Sequence, residues 1–404
     1  MSDQEHRLAE FLPAKIYVSE GVSARQQDES EWLRTALGGT GTGLSRPYLV
    51  RPSAQDPQLL LPLRPTAAAR TSLRRYHDDR SASERMTGLA GEAIGRLGLL
   101  KLAGGEEIEL EPFALIEMLA PALGEPVLIP AVSLGPRRRN RKPVVQLLRP
   151  DGIAVGFAKV GWSPFTAELI ANEAHWLNLV DGKLPHPLRS PAVLHQASFD
   201  QGNGRIDVVV SSPLPTSVSS HRSAPIPIEP IVALARIASG GRIALPDLPL
   251  VTSWRQSPLA DLVDLDALVE RHRNVEIEVG LWHGDLTPWN TATERGITAV
   301  WDWEFAGDGR PVGFDAMHIA FETVRRAAHG NEAKAVAAVI ATTPAILNSI
   351  PGRAVATSAD AVIDLYLCEL LHRESRLAGE GWRPEHLAPL DEQLRDALNL
   401  RLTA

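Results

Sequence analysis

Two aspartates 17 positions apart frame the most constraining stretch of this chain. The first lies in His283-Gly284-Asp285-Leu286-Thr287-Pro288-Trp289-Asn290, the second in Val300-Trp301-Asp302-Trp303-Glu304. Gly-Asp and Thr-Pro are common turn formers, so each fragment alone reads as a surface turn. Together they place a carboxylate, an amide oxygen five residues on, and a second carboxylate after a hydrophobic run. Transfer of a phosphoryl group from a nucleotide needs such parts: a carboxylate to orient the attacking hydroxyl, and oxygen ligands for a divalent cation. A fold carrying this set must return the chain on itself twice within twenty residues.

The pattern His-Gly-Asp-x-x-x-x-Asn, a strand ending in Asp, then Gly307-Asp308-Gly309-Arg310-Pro311-Val312-Gly313-Phe314-Asp315 resembles the catalytic segment of the aminoglycoside phosphotransferase and choline kinase group. Those are small-molecule kinases with a protein-kinase-like fold. The resemblance implies Asp285 as catalytic base, Asn290 and Asp302 as Mg²⁺ ligands, and His283 and Asp315 as structural residues. It also implies ATP or GTP as co-substrate and a small-molecule hydroxyl as acceptor. A protein kinase is disfavoured, because His-Gly-Asp stands where His-Arg-Asp is usual and Trp303-Glu304 where Phe-Gly is usual. A catalytically weak nucleotide-binding module that recruits a partner is the alternative.

The kinase reading requires, upstream, a strand Lys paired with a helix Glu. Val127–Leu134 and Pro143–Leu148 are strand candidates, Arg149-Pro150-Asp151-Gly152 is a turn, and Ile153–Val160 is a third strand bearing Lys159. Lys159 is one of six Lys in a chain whose Lys and Arg number 41. The alternative is a Lys extending from a strand end into water. Glu173 follows 14 residues later in Pro164–Val180, which has helical spacing, with Glu168 as a rival on the same helix. The loop 135–142 has one Gly and many cations. Arg137 and its neighbours would hold phosphates there, or form a solvated basic loop. Arg205–Ser212 reads as a strand leading to a hinge, and the resemblance puts the adenine against backbone between Val210 and Leu214, with Ser212 among the contacts.

The fold class implied is α+β and bilobal: a small antiparallel-sheet N-lobe over 126–212, a mostly helical C-lobe over 213–404, and an additional N-terminal α/β region over 1–125. In that last region Tyr48–Val50 and Gln58–Leu63 read as strands, and Thr66–Tyr76, Ser83–Leu100 and Pro112–Leu123 as helices. The Gly-rich run 38–43 has no following Lys-Ser/Thr and reads as a linker. The C-lobe helices read as Glu229–Ser239, Leu259–Arg273, Asp315–His329, Glu332–Ala341, Ser358–Ala378 and His386–Leu402, with Pro213–Pro230 as a bridge.

A net charge of −8 argues against general nucleic-acid binding. One cysteine excludes an internal disulfide. No secretory pattern opens the chain and no apolar run of membrane length appears, so no membrane partner is expected and the cytoplasm is the default. For the acceptor, Glu304 is the first choice, taken to lie two residues past Asp302 on the same side of an extended strand. Asp308, Glu322, Asp364, Glu369 and Glu374 are further carboxylates for a cationic acceptor. His372, Arg373 and Arg376 would instead suit an anionic one. Of Trp289, Trp301 and Trp303, at least two are expected in the core.

Overall fold

A computed structural model describes residues 45–52, 57–78, 105–110, 112–134, 142–201, 204–214, 226–238, 240–328, 331–352, 358–379 and 390–403. The chain divides into two compact units, residues 1–178 with 191–221 and residues 179–190 with 222–404. The expected helix Ser83–Leu100, the basic loop with Arg137, and most of the Pro213–Pro230 bridge lie outside the described residues.

The first unit is built on one antiparallel sheet of eight strands in the order β3-β1-β2-β4-β5-β6-β9-β8. Its strands are β1 Arg46–Pro52, β2 Pro57–Pro62, β3 Glu106–Leu110, β4 Ile129–Ser133, β5 Val144–Leu148, β6 Ala154–Gly161, β8 Val193–Gln201 and β9 Gly204–Ser211. β2 joins β4 through Leu59↔Ser133 and Leu60↔Val132, so the strands before residue 126 continue the sheet that bears Lys159. Among the described residues this unit carries the helices α1 Thr66–Asp78, α2 Ala114–Ala122 and α3 Pro164–Val180.

Alternation along β6 sorts its side chains. Ala158 and Val160 are fully buried with Val145, Leu147, Val208 and Val210 in the main core of the unit. Lys159 sits between them in sequence and therefore on the other face. There it is opposite Val209 of β9, which packs against Ile170 and Ala174 of α3. The strand's period of two thus presents Lys159 to the helix that carries Glu173.

The second unit is mainly helical. Its helices are α4 Ile228–Ala235, α5 Pro249–Arg255, α6 Leu265–Arg271, α7 Phe314–Ala327, α8 Glu332–Asn348, α9 Ala359–Gly379 and α10 Leu390–Thr403. Two three-stranded sheets interrupt them: β10 Gly241–Ala244, β11 Glu276–Trp282 and β14 Gly307–Pro311 in one, β12 Thr291–Glu294, β13 Ile297–Val300 and β7 Leu188–Arg189 in the other. A core that includes Trp254, Trp282, Phe314, Phe321, Tyr366 and Leu394 holds these elements together.

Two expected helices differ here. Leu259–Arg273 is not continuous, because Asp264 breaks it: the Asp264 carboxylate accepts from the Ala267 amide at 2.9 Å and caps α6 afresh. Helix α8 does not stop at Ala341. It runs through Pro344, while the hydroxyls of Thr342 and Thr343 donate to the carbonyls of Ala338 and Val339.

Candidate active site

In the first unit, Lys159 Nζ lies 2.6 and 2.7 Å from the two Glu173 carboxylate oxygens. The Lys side chain is 16% exposed and that of Glu173 4%. Glu168, the rival on α3, is exposed to solvent. A buried carboxylate needs a partner, and its ammonium partner keeps one edge open. Val210 stands inside the ladder between Ala158 of β6 and His195 of β8. Ser212 closes the strand end: its amide donates to the Ala192 carbonyl at 2.8 Å, and its hydroxyl accepts from the Ala192 amide at 2.9 Å. Their backbone is thus engaged within the sheet, and the chain leaves the ladder only at Pro213 and Leu214.

In the second unit, β11 runs buried through Leu281 and Trp282 and then turns sharply at His283-Gly284-Asp285. Gly284 has φ of +84°, and a Cβ there would lie 2.2 Å from the Phe305 carbonyl oxygen. Only glycine fits. The turn is pinned by Asp315 in the first turn of α7. Its carboxylate accepts from the His283 amide at 2.9 Å and the Gly284 amide at 3.2 Å. Burial pushes the Asp315 carboxyl up to about 7, against the pull of these two hydrogen bonds. His283 is itself buried, and its Nδ1 accepts from the Asp285 amide at 3.2 Å.

Arg373 of α9 binds the same turn from another side. Its Nη1 donates to the Gly284 carbonyl at 2.5 Å, and its guanidinium covers the Phe305 ring at 4.2 Å. Arg373, expected as a group for an anionic acceptor, holds the His283-Gly284-Asp285 turn through this contact.

The Asp285 carboxylate projects from this turn, 24% exposed. Oδ2 accepts from Asn290 Nδ2 at 2.8 Å, and Oδ1 is 3.2 Å from His318 Nε2. The Asn290 amide nitrogen also donates to the Asp285 main-chain carbonyl at 3.0 Å. His318 in turn meets the Tyr366 hydroxyl at 2.9 Å.

A hairpin brings the other carboxylate near. Strands β12 and β13 pair from Glu294↔Ile297 at the Arg295-Gly296 turn to Thr291↔Val300 at the open end. One step beyond, the Trp301 amide donates to the Asn290 carbonyl at 3.1 Å. Asn290 and Asp302 thus flank a single cross-strand step. Asp302 has φ of +72°, a left-handed conformation that Asp tolerates better than most residues. The strand ends at Val300, so Asp302 and Glu304 do not alternate along extended backbone, and the expectation built on that alternation is corrected. Glu304 is 5% exposed.

Among the other acceptor candidates, Asp364 is fully buried and serves as a brace. It is held by His272 Nε2 at 2.8 Å and by Arg401. Glu322 is paired with Arg325 at 3.1 Å, and Glu369 lies 3.6 Å from Arg310. Of the three tryptophans only Trp303 is in the core; Trp289 and Trp301 are half-buried, with Arg326 over the Trp289 ring at 5.0 Å.

An oxygen-only set of an amide and a carboxylate, joined across one hairpin step, has the hard-donor chemistry that Mg²⁺ requires. The Asn290 side-chain nitrogen donates to Asp285, so the amide oxygen is the atom that could ligate a cation.

No family model and no curated protein matches the chain. Several solved structures are similar to it. One is a thermostable mutant of aminoglycoside phosphotransferase APH(4)-Ia in complex with AMP-PNP and hygromycin B, at 14% identity over 72% of this chain and 98% of that one, TM-score 0.46. Aminoglycoside 2'-phosphotransferase-IIIa with GDP is similar at 13% identity over 71% and 96%, TM-score 0.40. Amicoumacin kinase hAmiN in complex with AMP-PNP, Ca²⁺ and Ami is similar at 11% identity over 66% and 88%, TM-score 0.38. The functional reading below rests on this chain's own residues.

Proposed function

We propose that this chain is a small-molecule kinase that transfers the γ-phosphate of ATP or GTP to a hydroxyl of a sugar, aminoglycoside or related metabolite. The observation that carries it is the Asp285 carboxylate, held by Asn290 on a turn pinned through two backbone amides to buried Asp315. A carboxylate fixed this firmly yet open to solvent suits a group that must orient a hydroxyl for in-line attack.

In this reading Asp285 accepts a hydrogen bond from the acceptor hydroxyl and takes its proton late, because the transition state is loose and little base strength is needed. Asn290 and Asp302 would hold Mg²⁺, which when bound supplies positive charge to the phosphate oxygens. Lys159, steadied by Glu173, neutralises charge on the nucleotide; a compact ammonium suits the space between two phosphates better than a guanidinium. Asp315 and His283 keep the turn in place. The nucleotide base would meet backbone between Val210 and Leu214, where the chain leaves the ladder past Ser212. No helix among the described residues is long and apolar enough to cross a membrane.

The test is nucleoside diphosphate release with ATP and with GTP across aminoglycosides, amino sugars, neutral sugars and choline-like amines, with Asp285→Ala as blank. An acceptor that raises Mg²⁺-dependent release well above the blank is the expected result. Equal release by the chain and by the blank for every acceptor, with nucleotide bound, would refute the kinase reading.

A further inference from the structure

Asp285 has a buried neighbour that the catalytic motif does not contain. His318 stands one helical turn after Asp315 on α7 and is 2% exposed. Its Nε2 lies 3.2 Å from Asp285 Oδ1 and its Nδ1 lies 2.9 Å from the Tyr366 hydroxyl on α9. Trp282, Phe321 and Tyr366 enclose the ring, with centroids 6.3, 6.4 and 6.3 Å away.

A neutral imidazole has one donor and one acceptor nitrogen, and its neighbours decide which is which. Tyr366 is fully buried, and that burial pushes its phenol up, so it keeps its proton and donates. An ionised Asp285 can only accept. The order is therefore Tyr366 O–H to His318 Nδ1, and His318 Nε2–H to Asp285 Oδ1. The groups facing the ring agree with a neutral state. Burial holds His318 down to about 3, and Arg373 of α9 and Arg325 of α7 also oppose a second proton, outweighing Glu322 and the Asp285 carboxylate, which favour one.

We propose that His318, oriented by Tyr366, is a positioning residue that fixes the rotation of the Asp285 carboxylate toward the acceptor hydroxyl. The proposal rests on the kinase reading of Asp285. Each carboxylate oxygen then takes one protein donor, His318 on Oδ1 and Asn290 on Oδ2, and keeps further lone pairs for the hydroxyl. Rotation about the Cβ–Cγ bond would break both contacts. Misplacement of a reacting group by about 1 Å costs on the order of a hundredfold in rate, so a fixed carboxylate matters to the transfer step.

The test uses the full chain with His318→Leu, His318→Gln and Tyr366→Phe, each checked for its thermal midpoint. One readout needs no acceptor: ¹⁵N NMR of labelled histidine, with His318 assigned by its loss in His318→Gln. The expected spectrum at neutral pH is the Nε2-protonated tautomer, with the Nδ1 signal shifted in Tyr366→Phe. An imidazolium, or the Nδ1-protonated tautomer, overturns the wiring.

The second readout is kinetic. In His318→Leu, kcat should fall by about 10–100-fold while KM for the nucleotide stays within about twofold, as for loss of transition-state alignment. His318→Gln keeps an N–H where Nε2 stood and should recover most of that loss. An unchanged kcat in His318→Leu, or equal losses in Leu and Gln variants of normal thermal midpoint, overturns the positioning role. Absence of transfer by the unaltered chain to any acceptor would refute the kinase reading itself, and the tautomer would still decide the hydrogen-bond order.

Discussion

Lys159 and Asp285 are both charged groups that keep one edge in solvent, yet they are held in opposite ways. Lys159 is engaged by both carboxylate oxygens of Glu173, only 14 residues away. Asp285 sits in a web: Asn290 at five residues, His318 at 33, and a backbone turn gripped by Asp315 and by Arg373, the last 89 residues distant from Gly284. A single strand and helix suffice for the first arrangement. The second requires β11, the hairpin, α7 and α9 to be in place together. Where one bond carries a constraint, one substitution removes it; where several share it, single losses are partial and do not add.

The sharpest way to break this comparison is at the hub of the web. Asp285→Ala should lower turnover by about 10²–10⁴-fold, the range for loss of a general base, with nucleotide affinity little changed. Pre-steady-state transfer beside equilibrium nucleotide binding measures both; a variant with near-normal transfer would remove Asp285 from the chemistry. Next comes the turn itself. Gly284→Ala places a Cβ against the Phe305 carbonyl at a positive φ, and a loss of about 1–3 kcal/mol in unfolding free energy is expected, with activity falling further as the turn shifts. A variant as stable and active as the parent would show that the turn is not braced.

The two-partner arrangement is tested by a double-mutant cycle on Lys159→Met and Glu173→Leu. A coupling of about 1–3 kcal/mol is expected, because each single change strands a mostly buried charge. A coupling near zero would mean that other groups hold Lys159. The smallest effect concerns pH. Asp315 holds its proton up to about 7 in the native state and near 3.8 when unfolded, so its contribution to stability is full below about 4 and is lost as pH rises through 7. The stability advantage of the parent over Asp315→Asn should therefore shrink between pH 5 and pH 8 in denaturant titrations. An advantage that is flat, or that grows, would put the Asp315 titration elsewhere.

The contrast also explains what could be read from the sequence. A Lys in an apolar strand and a Glu on the next helix are close along the chain, and their periodicities alone bring them to one face. Asn290 and Asp302 stand out through the motif, and the hairpin that joins them is what the structure adds. His318 and Tyr366 were not, since a His one turn after an Asp looks like any amphipathic helix, and only the packing of α9 on α7 gives it a partner. Arg373 was singled out, but as a group for the acceptor, because nothing local says that a cation on α9 faces the Gly284 carbonyl. Alternation does not extend past Val300, where the backbone turns left-handed at Asp302, so it cannot place Glu304 on one side with Asp302. The helix over 259–273 failed because Asp264 was counted as a helical residue when it acts as a cap.

The continuity of the eight-stranded sheet has a practical consequence for anyone who would trim this protein. A chain begun at residue 126 would end its sheet on β4, whose Ile129, Ala131 and Val132 are buried and whose backbone now pairs with β2. That cut would expose a flat apolar edge with unsatisfied amides and carbonyls, a template for strand addition between molecules. The shortened chain would self-associate, and Lys159, two strands away on β6, would sit in an aggregate before any question about phosphate transfer could be asked of it.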